Sequence, residues 1–193
     1  MINHLKGKLV EKYPTHVVIE CAGVGYFVNI SLHTFSKIAD TENIQLFTHL
    51  QVKEDSHTLF GFFEKSEREI FRLLISVSGI GSSIARTMLS SLDPLQIRDA
   101  IANGNVPTIQ GIKGIGAKTA QRVILDLKDK ILKIYDIDEV SSSSNNTNKD
   151  EALSALEVLG FVRKQAERAV EKVISQDATL SVEDIIKQAL KNL

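Results

Sequence analysis

The chain has 193 residues, 43% of them hydrophobic, with a mean hydropathy near zero and a net charge of -1. That composition suits one medium domain or two to three small ones, and no apolar run approaches the roughly 18 residues of a membrane span. Cys21 is the single cysteine, which excludes an internal disulfide framework. The opening MINHLKGKLVEK lacks the long apolar core of a secretory leader, so a cytoplasmic location is expected.

Charge divides the chain into three. Residues 1–62 carry 5 Lys/Arg against 6 Asp/Glu, residues 63–135 carry 11 against 7, and residues 136–193 carry 7 against 11. The middle segment, at net +4, is the one suited to a polyanion.

Residues 1–62 read as strands. VVIEC (17–21) and YFVNIS (26–31) alternate in period two around AGVG, whose two glycines permit a tight hairpin. LFTHLQVK (46–53) and HTLFGF (57–62) form a second hairpin across Glu54, Asp55 and Ser56. With KGKLVEK they make about five strands, the number of a small closed OB-like barrel, and SLHTFSKI supplies a short connecting helix.

Residues 63–135 change to helical period. Ser66 with Glu69 reads as a capping box ahead of Ile70, Phe71 and Leu74. Asp93-Pro94 starts another helix with Gln96 at the capping position, and Gly104 ends it. A last helix is expected from about Ala117 to Lys133. The serine- and asparagine-rich stretch 136–149 has no apolar residue after Val140 and reads as a flexible linker. Residues 150–193 then read as three short helices with a marginal core. Leu153, Leu156 and Leu159 line the first, which Gly160 stops. Ala166, Ala169, Val170 and Val173 line the second. Ser181 caps a third that buries Ile185, Ala189 and Leu193.

The string GIKGIGAKT (111–119) is nearly a P-loop, but Ala117 intervenes before Lys118 and Thr119, and no buried strand precedes it. An internal repeat explains it better. SGIGSSIARTML (78–89) aligns without gaps on KGIGAKTAQRVI (113–124), an offset of 35 residues. Each copy lies between helical patterns, which reads as a helix–hairpin–helix. Two glycines flank an isoleucine that anchors the turn, and the next helix presents unsatisfied N–H groups to an anion. Such a terminus holds a backbone phosphate of DNA without reading bases. The candidate phosphate ligands are Gly79, Gly81, Ser82 and Ser83 in the first copy, and Gly114, Gly116, Ala117, Lys118 and Arg122 in the second. Lys118 and Arg122 share one helix face, while Ala120, Val123, Ile124, Leu127 and Ile131 fall on the other. Ser82 and Ser83 replace any cation in the first copy, so less counterion release is expected there.

The whole order resembles the RuvA family, the Holliday-junction-binding subunits of the bacterial branch migration complex. The resemblance is carried by MINHLKGKLVEK, GVGYFV (23–28), FTHLQVKEDSHTLFGF (47–62), both Gly-Ile-Gly hairpins and EALSALEVLGF (151–161). It implies a multidomain α+β chain: an OB-like platform domain (1–62), a tandem helix–hairpin–helix domain (63–135), a linker (136–149) and a UBA-like three-helix domain (150–193). It implies a homotetramer, or two facing tetramers as an octamer, with Glu54 and Asp55 as an acidic pin at the junction centre. It also implies a small domain that docks on the RuvB AAA+ ATPase through Leu156, Leu159 and Phe161. RuvC resolvase is a further implied partner, and recombination, repair and the SOS response the setting; no cofactor, metal or membrane is implied. Ser83 and Ala117 stand where that family would lead one to expect basic residues. Two other readings stay open: a generic duplex-binding architectural protein, and a helix–hairpin–helix repair enzyme using Asp126 or Asp129.

Overall fold

The computed structural model describes residues 2–39, 41–139, 144–177 and 180–193. The chain divides into two compact units, Met1–Leu132 and Lys133–Leu193.

The first unit opens with five strands: β1 (His4–Tyr13), β2 (His16–Cys21), β3 (Val24–Ile30), β4 (Asn43–Val52) and β5 (His57–Phe62). They close in the order β1-β2-β3-β5-β4, with β4 returning to β1. All pairs are antiparallel except β3 with β5, the order of an OB-type barrel. A bulge between Leu9 and Glu11 bends β1 so that it can pair on both sides. The alternation seen in the sequence places Val17, Ile19, Val28, Ile30 and Leu46 inside. The β2–β3 turn uses only one of the two expected glycines: Ala22 and Gly23 take positive φ, while Gly25 lies within β3. Helix α1 (Leu32–Lys37), capped by the Ser31 side chain on the Thr34 amide, connects β3 to β4.

Helices α2 (Lys65–Ile75), α3 (Ser82–Ser91), α4 (Pro94–Ala102), α5 (Val106–Gln110) and α6 (Ala117–Glu139) follow. Barrel and helices, α6 as far as Leu132, belong to one compact unit, and Phe60 and Phe62 of β5 extend into the helical core and pack on Phe71 at 5.0 Å between ring centroids. The seam is also polar. Glu67, fully buried on α2, accepts hydrogen bonds from the Ser31 hydroxyl (2.5 Å) and the Thr34 hydroxyl (2.6 Å). Burial pushes its carboxyl above the usual range, and the two hydroxyl donors pull it back in part. Arg68 donates to the Asn3 backbone and side chain across the same seam.

Two helix starts differ in their fate. Asp93 and Gln96 form the expected capping box, and Gly104 ends that helix at φ +68°. Ser66 is not a cap. The helix already starts at Lys65 after Glu64, because β5 delivers Phe62 into the core and the chain must turn at once. Helix α5, with Asn105 as its cap, was hidden by its five-residue length.

The second unit holds α7 (Ser144–Val158), α8 (Arg163–Gln176) and α9 (Val182–Leu190). Leu153, Leu156, Ala166, Ala169, Val170, Val173, Ile185 and Ala189 form its core, and Ser181 caps α9. Two expected core residues are outside: Leu159 is 59% exposed and Leu193 42% exposed. Leu159 closes the last helical hydrogen bond of α7, onto the Ala155 carbonyl, one residue before Gly160 reverses the chain at φ +95°. Leu193 follows the end of α9. In the expected linker, helix assignments reach Glu139 from one side and Ser144 from the other; residues 140–143 lie outside the described residues.

Candidate nucleic-acid interface

The 35-residue repeat is a repeat of backbone geometry. Gly79 and Gly114 take φ +97° and +92°, values that L side chains rarely adopt. The next residues, Ile80 and Ile115, are buried, and their amides donate to the carbonyls of Val77 (3.0 Å) and Ile112 (3.1 Å). Helices α3 and α6 then begin alike: the Ala85 amide donates to the Gly81 carbonyl and the Ala120 amide to the Gly116 carbonyl, each at 2.9 Å. The isoleucine therefore does what the sequence suggested. Its apolar side chain drives the turn into the core and turns both flanking glycines outward.

The outward side is open. A Cβ built on Gly79, Gly81, Gly114 or Gly116 meets nothing within 4 Å. No side chain caps α3 at Gly81, so its first amides have no side-chain acceptor. Ser83, Ala117 and Lys118 are exposed beside them. Helix α5, and not a strand, precedes the second hairpin, so the GIKGIGAKT string lacks the strand–loop–helix frame of a P-loop.

The structure brings the two hairpins together. Arg122 of α6 donates from Nη1 to the Ser78 carbonyl of the first hairpin at 3.3 Å. Arg122 is thus both an exposed cation and a tie between the turns. Ala120, Val123, Leu127 and Ile131 are buried as expected, whereas Ile124 is only half-buried. The Ser82 hydroxyl is turned away from the cap position and donates to Gln51 Oε1 at 2.9 Å. Sequence reasoning passed over Lys113, which is exposed on the second hairpin. The repeat alignment contained the signal, since Lys113 replaces Ser78 of the first copy.

Glu54 and Asp55 are exposed in the β4–β5 turn, which is closed by the Lys53 amide on the Ser56 carbonyl at 2.8 Å. In the second unit the apolar candidates separate. Leu156 is fully buried and cannot contact a partner in the folded state. Phe161 is half-buried against the core, and Leu159 is exposed beside Val158 (87%) and Val162 (64%). Sequence spacing could not distinguish these residues, because α7 ends at Val158 and the chain turns there. Among the described residues, no three His, Cys, Asp or Glu side chains gather as a metal-ligating group. No described helix is long and apolar enough to cross a membrane.

An OB-type barrel fused to two Gly-Ile-Gly hairpins of matching turn geometry defines a tandem helix–hairpin–helix protein of the nucleic-acid-binding class. Family models agree in three blocks: the RuvA N terminal domain over residues 1–61, the SAM-like helix-hairpin-helix tandem over 71–129 and the RuvA C-terminal domain over 147–193. The chain is 68% identical to a protein of Flavobacterium psychrophilum and 67% identical to one of Christiangramia forsetii, each over the full length of both chains. A protein of Cytophaga hutchinsonii is 47% identical over 99% of both. All three relatives bear the name Holliday junction branch migration complex subunit RuvA. The chain belongs to the RuvA family.

Proposed function

We propose that this chain binds four-way DNA junctions and serves as the DNA-recognition subunit of a branch migration complex. The observation that carries the reading is the paired hairpin: two open, glycine-lined helix N-termini at matching geometry on one compact unit, tied by Arg122 and Ser78. Amides, Lys118 and Arg122 hold phosphates of one duplex arm and read no bases. Membership of a family whose members are named branch migration complex subunits supports the junction as substrate.

The finer assembly belongs to the same reading. Four copies surround the crossover, as one tetramer or two facing ones, each contributing Glu54 and Asp55. Those carboxylates lie on an exposed turn, so in a tetramer their charges repel the converging phosphates and keep the strands apart while bases exchange partners. The chain hydrolyses nothing itself; the motor is a separate AAA+ ATPase, RuvB, reached through Val158, Leu159 and Val162, with Phe161 lending support. RuvC meets the same junction, and the complex works in the cytoplasm.

The test is a gel shift at moderate salt comparing a synthetic four-way junction with linear duplex, for wild type and Lys118→Ala/Arg122→Ala. The reading expects a junction preference that the double substitution weakens. Equal affinity for the two DNAs would reduce the protein to a generic duplex binder. Strand cleavage of a labelled junction with Mg²⁺ would make it an enzyme.

A further inference from the structure

The two hairpins match, yet the helices behind them do different things. Along α3, Ser82, Arg86 and Ser90 recur every fourth residue and so share one face. All three are half-buried, and each meets a different part of the barrel or its connecting helix α1. The Ser82 hydroxyl donates to Gln51 Oε1 of β4 at 2.9 Å. Arg86 Nη1 donates to Asn29 Oδ1 of β3 at 2.8 Å and to the Thr15 carbonyl, between β1 and β2, at 3.3 Å. The Ser90 hydroxyl donates to the Arg86 carbonyl and accepts from the Leu32 amide at the start of α1. Asn29 is itself fixed, because its Nδ2 donates to the Leu59 carbonyl of β5. The amide is therefore oriented with its oxygen toward Arg86.

The second copy has no such stripe. The repeat places Ala117, Gln121 and Leu125 at the three equivalent positions, and all are exposed. The stripe is distinct from the face that carries Lys118 and Arg122 in the second copy, whose equivalents in the first copy are Ser83 and Thr87. Gln51 also lies one residue before the end of β4, the strand that leads into the Glu54–Asp55 turn.

We propose that the Ser82–Arg86–Ser90 stripe, with Arg86 at its centre, is a positioning device for junction recognition. It fixes the first hairpin relative to the acidic turn, so that gripping an arm and placing the turn at the crossover are one geometric act. Arg86 acts through Asn29 and Thr15 and touches no phosphate. The proposal rests on the junction-binding reading.

It predicts a loss of selectivity, not of general affinity. A linear duplex needs only the hairpins, whereas a junction needs hairpin and turn in register. Binding to junction and to linear duplex is measured across a salt series for wild type, Arg86→Ala, Asn29→Ala and the double variant, with circular dichroism melts alongside. Arg86→Ala is expected to weaken junction binding about tenfold, the size of a lost charged hydrogen bond, and duplex binding less than about twofold. The salt slopes stay at the wild-type value. Asn29→Ala, which removes the shorter of the two barrel contacts of Arg86, lowers junction selectivity in the same direction, and the double variant is no worse than Arg86→Ala alone, since Asn29 acts through Arg86. Equal losses on both DNAs, with the salt slope reduced by about 0.9, would make Arg86 a phosphate ligand and overturn the proposal. Unchanged selectivity in a folded variant would overturn it too. Should Arg86→Ala not fold, Asn29→Ala, which keeps the arginine stem in place, decides by the same criteria. Wild-type protein without junction preference would instead refute the underlying reading, and that outcome is visible before any variant is made.

Discussion

The two glycines of each hairpin have separable duties, and alanine at each tests them apart. Gly114 sits at φ +92°, and a Cβ there meets nothing within 4 Å, so packing contributes no penalty. The cost is backbone alone: about 1–2 kcal/mol for an L residue in left-handed conformation. A stiffer unfolded chain offsets about 0.4–1 kcal/mol of it, leaving Gly114→Ala roughly 1 kcal/mol less stable. For a unit of this size that lowers Tm by about 3–5 °C. Gly116 has no positive φ and equally open surroundings. Gly116→Ala therefore keeps its stability within about 0.5 kcal/mol, as the entropic gain balances a poorer helix cap. On the proposed phosphate role, its methyl group would stand where a phosphate approaches the amides of α6. Losing one charged hydrogen bond of about 1.5–3 kcal/mol weakens DNA binding tenfold or more. Thermal melts and junction gel shifts on both variants read the two effects separately. A Gly116→Ala protein with wild-type junction affinity would refute the phosphate role. A Gly114→Ala protein melting with wild type would refute the backbone argument.

Other outcomes follow from the same geometry. Lys118→Ala should weaken binding to all DNAs alike and reduce the slope of log affinity against log salt by about 0.9, measured by titration at several salt concentrations. Leu156→Ala empties a fully buried site and should cost about 2–5 kcal/mol in the second unit. Leu159→Ala should leave the melt unchanged and lower affinity for the ATPase partner in a pull-down or calorimetric titration. Glu67 has a folded pKa raised above its unfolded value, chiefly by burial. Its contribution to stability is full below the ordinary glutamate value near 4.5 and fades as pH rises through the raised folded value. Glu67→Gln should flatten that part of the stability–pH curve in denaturant melts; an unchanged slope would place the titration elsewhere.

Legibility varied with the range of the interactions involved. Period-two alternation fixes which strand face is buried whatever the partners, so the barrel core was readable from Val17, Ile19, Val28 and Ile30. The hairpins were readable because a Gly-Ile-Gly turn is a local solution, and its repetition at 35 residues made chance improbable. Capping at Asp93 and Ser181 was equally local. The cap at Ser66 failed because the start of α2 is set by a distant core into which β5 carries Phe62.

What the sequence by itself determined is therefore most of the element types, the barrel, the repeated Gly-Ile-Gly turn and the family. Each rests on contacts within a few residues or on a pattern that recurs along the chain. Only the tertiary structure decided that Arg86 bonds to Asn29 of the barrel, that Ser82 reaches Gln51, that Arg122 ties the hairpins together, and that Leu156 is core while Leu159 is surface. Those facts join residues 31 to 57 positions apart or turn on where one helix stops. No local pattern encodes them, because a polar side chain has the same sequence signature whether it faces water, phosphate or another strand.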